Sequence, residues 1–91
     1  MLNIKFTLKS IEYIKQNGGV VHIKEAPPTA PCIHYDFVAI YLGMPKADTK
    51  LFEICEQENI KIYYDPLVVK NDKIYEVDVE GLFKWKTLVI Y

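Results

Sequence analysis

The sequence contains no arginine: all eleven basic residues are lysine, set against twelve acidic ones for a net charge of −1. Arginine carries the planar fork that grips phosphates and carboxylates in pairs, and nucleic-acid binders depend on a positive surplus. Neither is present, so no nucleic-acid partner is expected. Serine occurs once, at Ser10, with no histidine and acid spaced around it, and no glycine-rich phosphate loop is found. A conventional hydrolase, kinase or dinucleotide enzyme is therefore not expected. No run of eighteen apolar residues exists to cross a membrane, and "MLNIKFTLKS" does not resemble a secretory leader. With only Cys32 and Cys55, and no export signal, the expectation is free thiols in a cytoplasmic protein without membrane contacts.

What the chain does have is apolar residues, at 51% of 91 positions, and seven tyrosines. That composition suits one small domain spanning 1–91. A chain this short buries only about 60–65% of its unfolded surface, so a homodimer would add useful core. Tyrosine fits such a chain because its ring is apolar while its tip tolerates water.

Alternation in "LNIKF" predicts a strand over 2–6, and Thr7 is placed to cap a helix from Leu8 to Asn17 with Leu8, Ile11 and Ile14 on its apolar face. Gly18-Gly19 should end that helix, and β-branched "VVHIK" (20–24) reads as a strand. Pro27, Pro28 and Pro31 make 25–31 a loop, and 33–42 reads as a central strand covered on both faces. "ADTKLFEICEQEN" (47–59) predicts a second helix, with Cys55 on its apolar stripe and Asn59 left-handed at its end. "IKIYYD" (60–65) is a strand stopped by Pro66, and "LVVK" with "KIYEVDVE" reads as a hairpin turning at Asn71-Asp72. A last extended stretch follows Gly81. The fold class is α+β, mainly β, with short helices on an antiparallel or mixed sheet.

Cys32 is the first candidate for chemistry, because it stands where a proline-rich loop meets a strand. His34, two residues on, shares its face in an extended chain, so a thiolate and an imidazole sit side by side for metal binding or thiol redox chemistry. The competing reading is a buried apolar cysteine beside a surface histidine, since Cys-x-His alone lacks the remaining ligands of a zinc site. Cys55 reads as core, and His22 as facing solvent or a dimer partner. Glu76, Asp78 and Glu80 share one strand face, which reads as its solvated side rather than a metal patch.

Three stretches taken in order carry a resemblance: "IKFTLKSIEYIKQNGG" with "VVHIK", then "PCIHYDFVAIYLGMP", then "NIKIYYDPLVVKNDKIYEVDVEGLFKWKTLVIY". Together they resemble the HesB-like domains of A-type iron–sulfur carriers. They are closer still to small relatives with a paired Cys-Cys or Cys-selenocysteine motif. The resemblance implies a β-rich fold with an N-terminal helix, a tendency to dimerise, and iron or an iron–sulfur cluster as the bound group. In A-type carriers three cysteines bind it, and Cys32 stands where the first falls. The later Cys-x-Cys pair has no counterpart, and the paired motif falls at Pro31-Cys32, with proline in place of one thiol or selenol. Clusters are normally held by four cysteines, so two Cys32 thiolates across a dimer would supply half, leaving His34 or exogenous thiols to complete the set.

Two functional expectations follow. One is iron, cluster or thiol-redox handling through Cys32. The other is a non-catalytic domain that has lost the metal site and associates with itself or a protein partner, its proline-ordered loop lowering the entropy cost of docking.

Overall fold

A computed structural model describes residues 2–25, 38–46, 49–70, 72–81 and 85–91. The chain folds as mainly β, and the described residues form one α-helix and two mixed sheets.

Strand β1 (Asn3–Phe6) leads into helix α1 (Leu8–Gln16). Thr7 holds an extended backbone, and its hydroxyl oxygen accepts the Ser10 N–H at 3.2 Å. The same hydroxyl donates to Asp78 Oδ1 at 2.8 Å, so one side chain caps the helix and ties it to a distant strand. That donation, with the Val79 N–H on the same carboxylate, holds the Asp78 carboxyl below its ordinary range. Ser10 is fully buried and donates to the carbonyls of Thr7 and Val77, at 2.8 and 3.2 Å. It lets the helix approach the strand closely. The predicted helical face is half right: Ile14 is fully buried and Ile11 packs beside the core, but Leu8 is 79% exposed. In that first turn it is Ser10, not Leu8, that faces the sheet.

The first sheet has the order β1-β6-β7, where β6 is Ile74–Glu80 and β7 is Thr87–Ile90. Strand β1 runs parallel to β6, and β7 antiparallel to it. The second sheet has the order β3-β2-β5-β4, from β2 (Val20–Glu25), β3 (Val38–Leu42), β4 (Glu53–Gln57) and β5 (Ile60–Tyr64). Here β2 and β5 are parallel, and both outer strands are antiparallel to their neighbours. Ile4, Ile14, Val21, Ile23, Ile62, Tyr75 and Val77 belong to one buried cluster that joins α1 to both sheets. Strand β3 lies against β7, and at the other side Gln57 Nε2 donates to the Ile4 carbonyl at 2.7 Å. No helix among the described residues is long and apolar enough to cross a membrane.

Three expectations are corrected. The helix predicted over 47–59 is a 3-10 turn at Thr49–Leu51 followed by strand β4. Pairing with β5 outweighs the helical spacing of Leu51, Phe52 and Cys55. Asn59 is left-handed as expected, but Glu58 is too, at φ 55° and 63° for Glu58 and Asn59. Two positive φ values between the paired Gln57 and Ile60 make the tight turn of a β-hairpin.

The hairpin predicted from "LVVK" to "KIYEVDVE" is also absent. The Asp65 side chain accepts the Leu67 N–H at 2.9 Å, and its carbonyl accepts the Val68 and Val69 N–H groups. Pro66 has its own φ fixed by its ring, which suits the turn that follows Asp65 and brings Val69 into the core. Strand β6 pairs instead with β1 and β7. Finally, among the described strands β3 stands at the edge of its sheet rather than at its centre, and its apolar inner face meets the common core while β7 lies against it.

Candidate functional site

Cys32 and His34, the residues singled out for metal or thiol chemistry, lie outside the described residues. Their setting is nonetheless defined by what flanks them. The β2–β3 ladder runs to the pair Glu25↔Val38, and residues 26–37 connect its two ends. Pro31 and Cys32 are the two middle residues of that connection. Strand β2 is interior to its sheet, held by β3 on one side and β5 on the other. The segment bearing Cys32 therefore follows a strand paired on both sides, a rigid base of the sort on which functional loops are carried.

His22 is the histidine within the described residues, and the structure corrects its expected exposure. It does point to the outer face of the sheet, but it is buried there at 7% exposure. Register explains the burial: His22 stands opposite Tyr41 on β3 and Tyr63 on β5. Its ring stacks on Tyr41 with centroids 5.3 Å apart and planes 25° from parallel. Lys24 Nζ lies 5.1 Å from the Tyr41 centroid, and Lys61 Nζ 5.4 Å from that of Tyr63. Lysine stems over tyrosine rings complete the cover. His22 Nδ1 is 2.8 Å from the Gly43 carbonyl oxygen, which can only accept, so Nδ1 is the donor in this bond. A sequence signal for this existed in the alternation of Tyr41 and Tyr63, but only pairing register reveals that they flank one histidine.

Cys55 sits half-buried on the inner side of β4, against the core, and burial pushes its thiol up from the ordinary value. A raised thiol holds little thiolate and is a poor nucleophile. The expectation of a packing role agrees with that placement, although on a strand instead of a helix. Beside it, the Tyr64 hydroxyl donates to Glu53 Oε2 at 2.8 Å. That bond, with burial and the nearby carboxylate charge, pushes the tyrosine up to about 12.

A pH dependence follows from Tyr64. Its folded value lies above the unfolded value near 10, so the folded chain holds this proton more tightly. The stabilisation is complete below pH 10 and is lost as pH rises from 10 toward about 12. Alkaline melts of the wild type and Tyr64→Phe should show the wild type losing more stability across that window. Equal alkaline slopes would mean the Glu53 bond does not persist in solution.

Glu76 and Glu80 are exposed, and Asp78 is turned to Thr7 and Val79, which fits a solvated strand face. Among the described residues, no three histidine, cysteine or acidic side chains gather to hold a metal. An open cleft between α1 and the β6–β7 end, lined by Lys9, Glu12, Tyr13 and Lys86 among others, has neither cysteine nor histidine in its wall.

Comparison with curated proteins gives no match, and comparison with solved structures gives none. A family model does match, described as the CC/Se motif containing family, and it covers residues 2–91. With nearly the whole chain matched, this protein belongs to the CC/Se motif containing family.

Proposed function

We propose that this is a HesB-like member of its family that handles iron or thiol redox equivalents through one thiol, Cys32, with His34 as its neighbour. The observation that carries the reading is positional. The chain belongs to a family described by a CC/Se motif, and Cys32 is central in the connection between two strands paired up to Glu25↔Val38. The other cysteine, Cys55, is half-buried with a raised thiol, which leaves Cys32 to supply the reactive one.

A resident iron–sulfur cluster does not fit one chain. One thiolate and one imidazole fall short of the four ligands that clusters normally require. The chemistry assigned to Cys32 is therefore that of a single thiolate: capture of an iron ion delivered as cargo, or attack on the disulfide of another molecule, which forms a mixed disulfide and releases that molecule's second sulfur as a thiolate. The second reading, a domain that has lost the metal site and binds a copy of itself or another protein, is favoured by Pro31, which stands beside Cys32 where a paired motif would have its other member.

Anaerobic incubation with ferrous iron and sulfide tests this, with Cys32→Ala alongside. Sulfur-to-iron charge-transfer absorption and bound iron are expected in the wild type and absent from the variant. Thiol alkylation rates should separate the cysteines, with Cys32 reacting well ahead of Cys55. If neither protein binds iron and both thiols alkylate slowly, the thiol reading fails and the binding-domain reading takes its place.

A further inference from the structure

The spacing of Lys9, Glu12, Tyr13 and Gln16, at i, i+3, i+4 and i+7, sets these side chains along one side of α1, where they line the open cleft beside β6 and β7. Val79, Gly81 and Lys86 complete the lining. Two contacts hold it in place. The Tyr13 hydroxyl donates to the Lys86 carbonyl at 3.1 Å, which ties the helix to the start of β7. At Gly81 the Trp85 carbonyl stands where a side chain would begin, so the backbone there is closely packed. The space between is about 270 Å³, just under the roughly 300–1,000 Å³ of sites that take drug-sized ligands. It suits a small molecule.

The ionic groups of the lining are two ammoniums, on Lys9 and Lys86, and one carboxylate, on Glu12. A plain dianion would meet both lysines and be repelled by Glu12. A plain cation would meet Glu12 and be repelled twice. The electrostatic complement is a molecule with two carboxylates and one ammonium.

We propose that this cleft binds a dicarboxylic amino acid, its carboxylates at Lys9 and Lys86 and its ammonium at Glu12. The Gln16 amide adds a donor and an acceptor, and Val79 offers apolar surface to the methylenes that join the two ends. Lys9 shares its charge with Asp78, whose carboxyl it helps to hold low after Thr7 and the Val79 N–H, so Lys86 is the stronger anchor. Lys9 and Glu12, at i and i+3, attract one another only weakly when exposed, so little is lost when a ligand comes between them. Each exposed ion pair changes affinity by up to about fivefold, which puts binding on the order of 1 mM. The site is separate in its chemistry from the thiol proposed above, since its lining holds neither cysteine nor histidine.

Amide NMR titrations with L-glutamate, glutarate and 4-aminobutyrate, at constant ionic strength, test this. Glutarate lacks the ammonium, and 4-aminobutyrate lacks one carboxylate. The Gln16, Gly81 and Lys86 amide signals should shift with L-glutamate, and the two truncated molecules should bind about three- to fivefold more weakly. Glu12→Gln gives the sharper reading. It should weaken L-glutamate by about the same factor and tighten glutarate, whereas a diffuse attraction of anions to lysine would tighten both. Lys86→Ala keeps the backbone carbonyl that Tyr13 uses, and should weaken L-glutamate and glutarate alike. Both substituted residues are exposed, so the variants should fold, which melting curves check. No shift up to about 50 mM L-glutamate overturns the proposal, as does equal binding of the three molecules or a Glu12→Gln variant that tightens both anions. Cys32→Ala should bind L-glutamate as the wild type does, so a failure of the thiol reading leaves this result standing.

Discussion

Gly81→Ala should lower stability by about 3 kcal/mol or more, among the largest effects of any single-methyl addition in this chain. Gly81 follows β6 with φ at +108°, a backbone conformation open to glycine and strained for every other residue. A methyl group there would run into the Trp85 carbonyl oxygen and stand 3.0 Å from the Lys86 Cα. These are backbone atoms, and they are not at liberty to retreat. The Lys86 carbonyl accepts the Tyr13 hydroxyl at 3.1 Å, and Thr87 is already paired with Glu80. Relief of the clash would therefore loosen helix α1 and the start of β7 together.

Gly18 supplies the control, because it shares the same φ of +108° but has open space where the methyl would go. Gly18→Ala should cost about 1 kcal/mol, the conformational part alone. For a domain of this size, about 1 kcal/mol corresponds to roughly 4–8 °C in Tm, so the two variants should melt at least about 8 °C apart. Equal melting temperatures would mean that the close approach of Gly81 to Trp85 is relaxed in solution.

How legible the fold was depended on how local its causes are. Strands β1, β2 and β5 and the Thr7 cap are written in contiguous residues, so alternation and capping chemistry were sufficient to find them. Strand β4 was misread because "LFEIC" satisfies helical spacing as well as it satisfies a strand, and only its partner β5 decides. The left-handed Asn59 was visible, but one such residue ends a helix while two make a hairpin, and Glu58 is not a residue that announces a positive φ. Ser10 and His22 share a different obscurity. Both are polar residues in polar-looking positions, buried because β6 crosses the helix and two tyrosines flank the histidine. At the candidate site, the choice of Cys32 over Cys55 came from loop position and family resemblance. The reason the Cys55 thiol is pushed up, its packing against the core from β4, was not accessible without the fold.

The second large effect is expected at Tyr75. Among the described residues this is the largest fully buried side chain, standing on the central strand of the three-stranded sheet beside Ile4 of β1. Tyr75→Ala should cost about 4 kcal/mol, from lost apolar burial and the cavity left in a small core. A domain of 91 residues has only about 5–14 kcal/mol in total, so much of its margin would go. The hydroxyl has a separate task. It accepts the Lys70 N–H at 3.0 Å, pinning the end of the turn that Asp65 and Pro66 begin. Tyr75→Phe keeps the ring and removes only that acceptor, so its cost should be about 1 kcal/mol. The two substitutions also differ in where they act. Amide hydrogen exchange in Tyr75→Phe should quicken around Val68–Lys70 and leave the β2–β5 ladder protected, while Tyr75→Ala should quicken both. Were Tyr75→Phe to loosen the whole chain equally, the 65–70 turn would have to be part of the cooperative core and not a segment fastened to it by one hydroxyl.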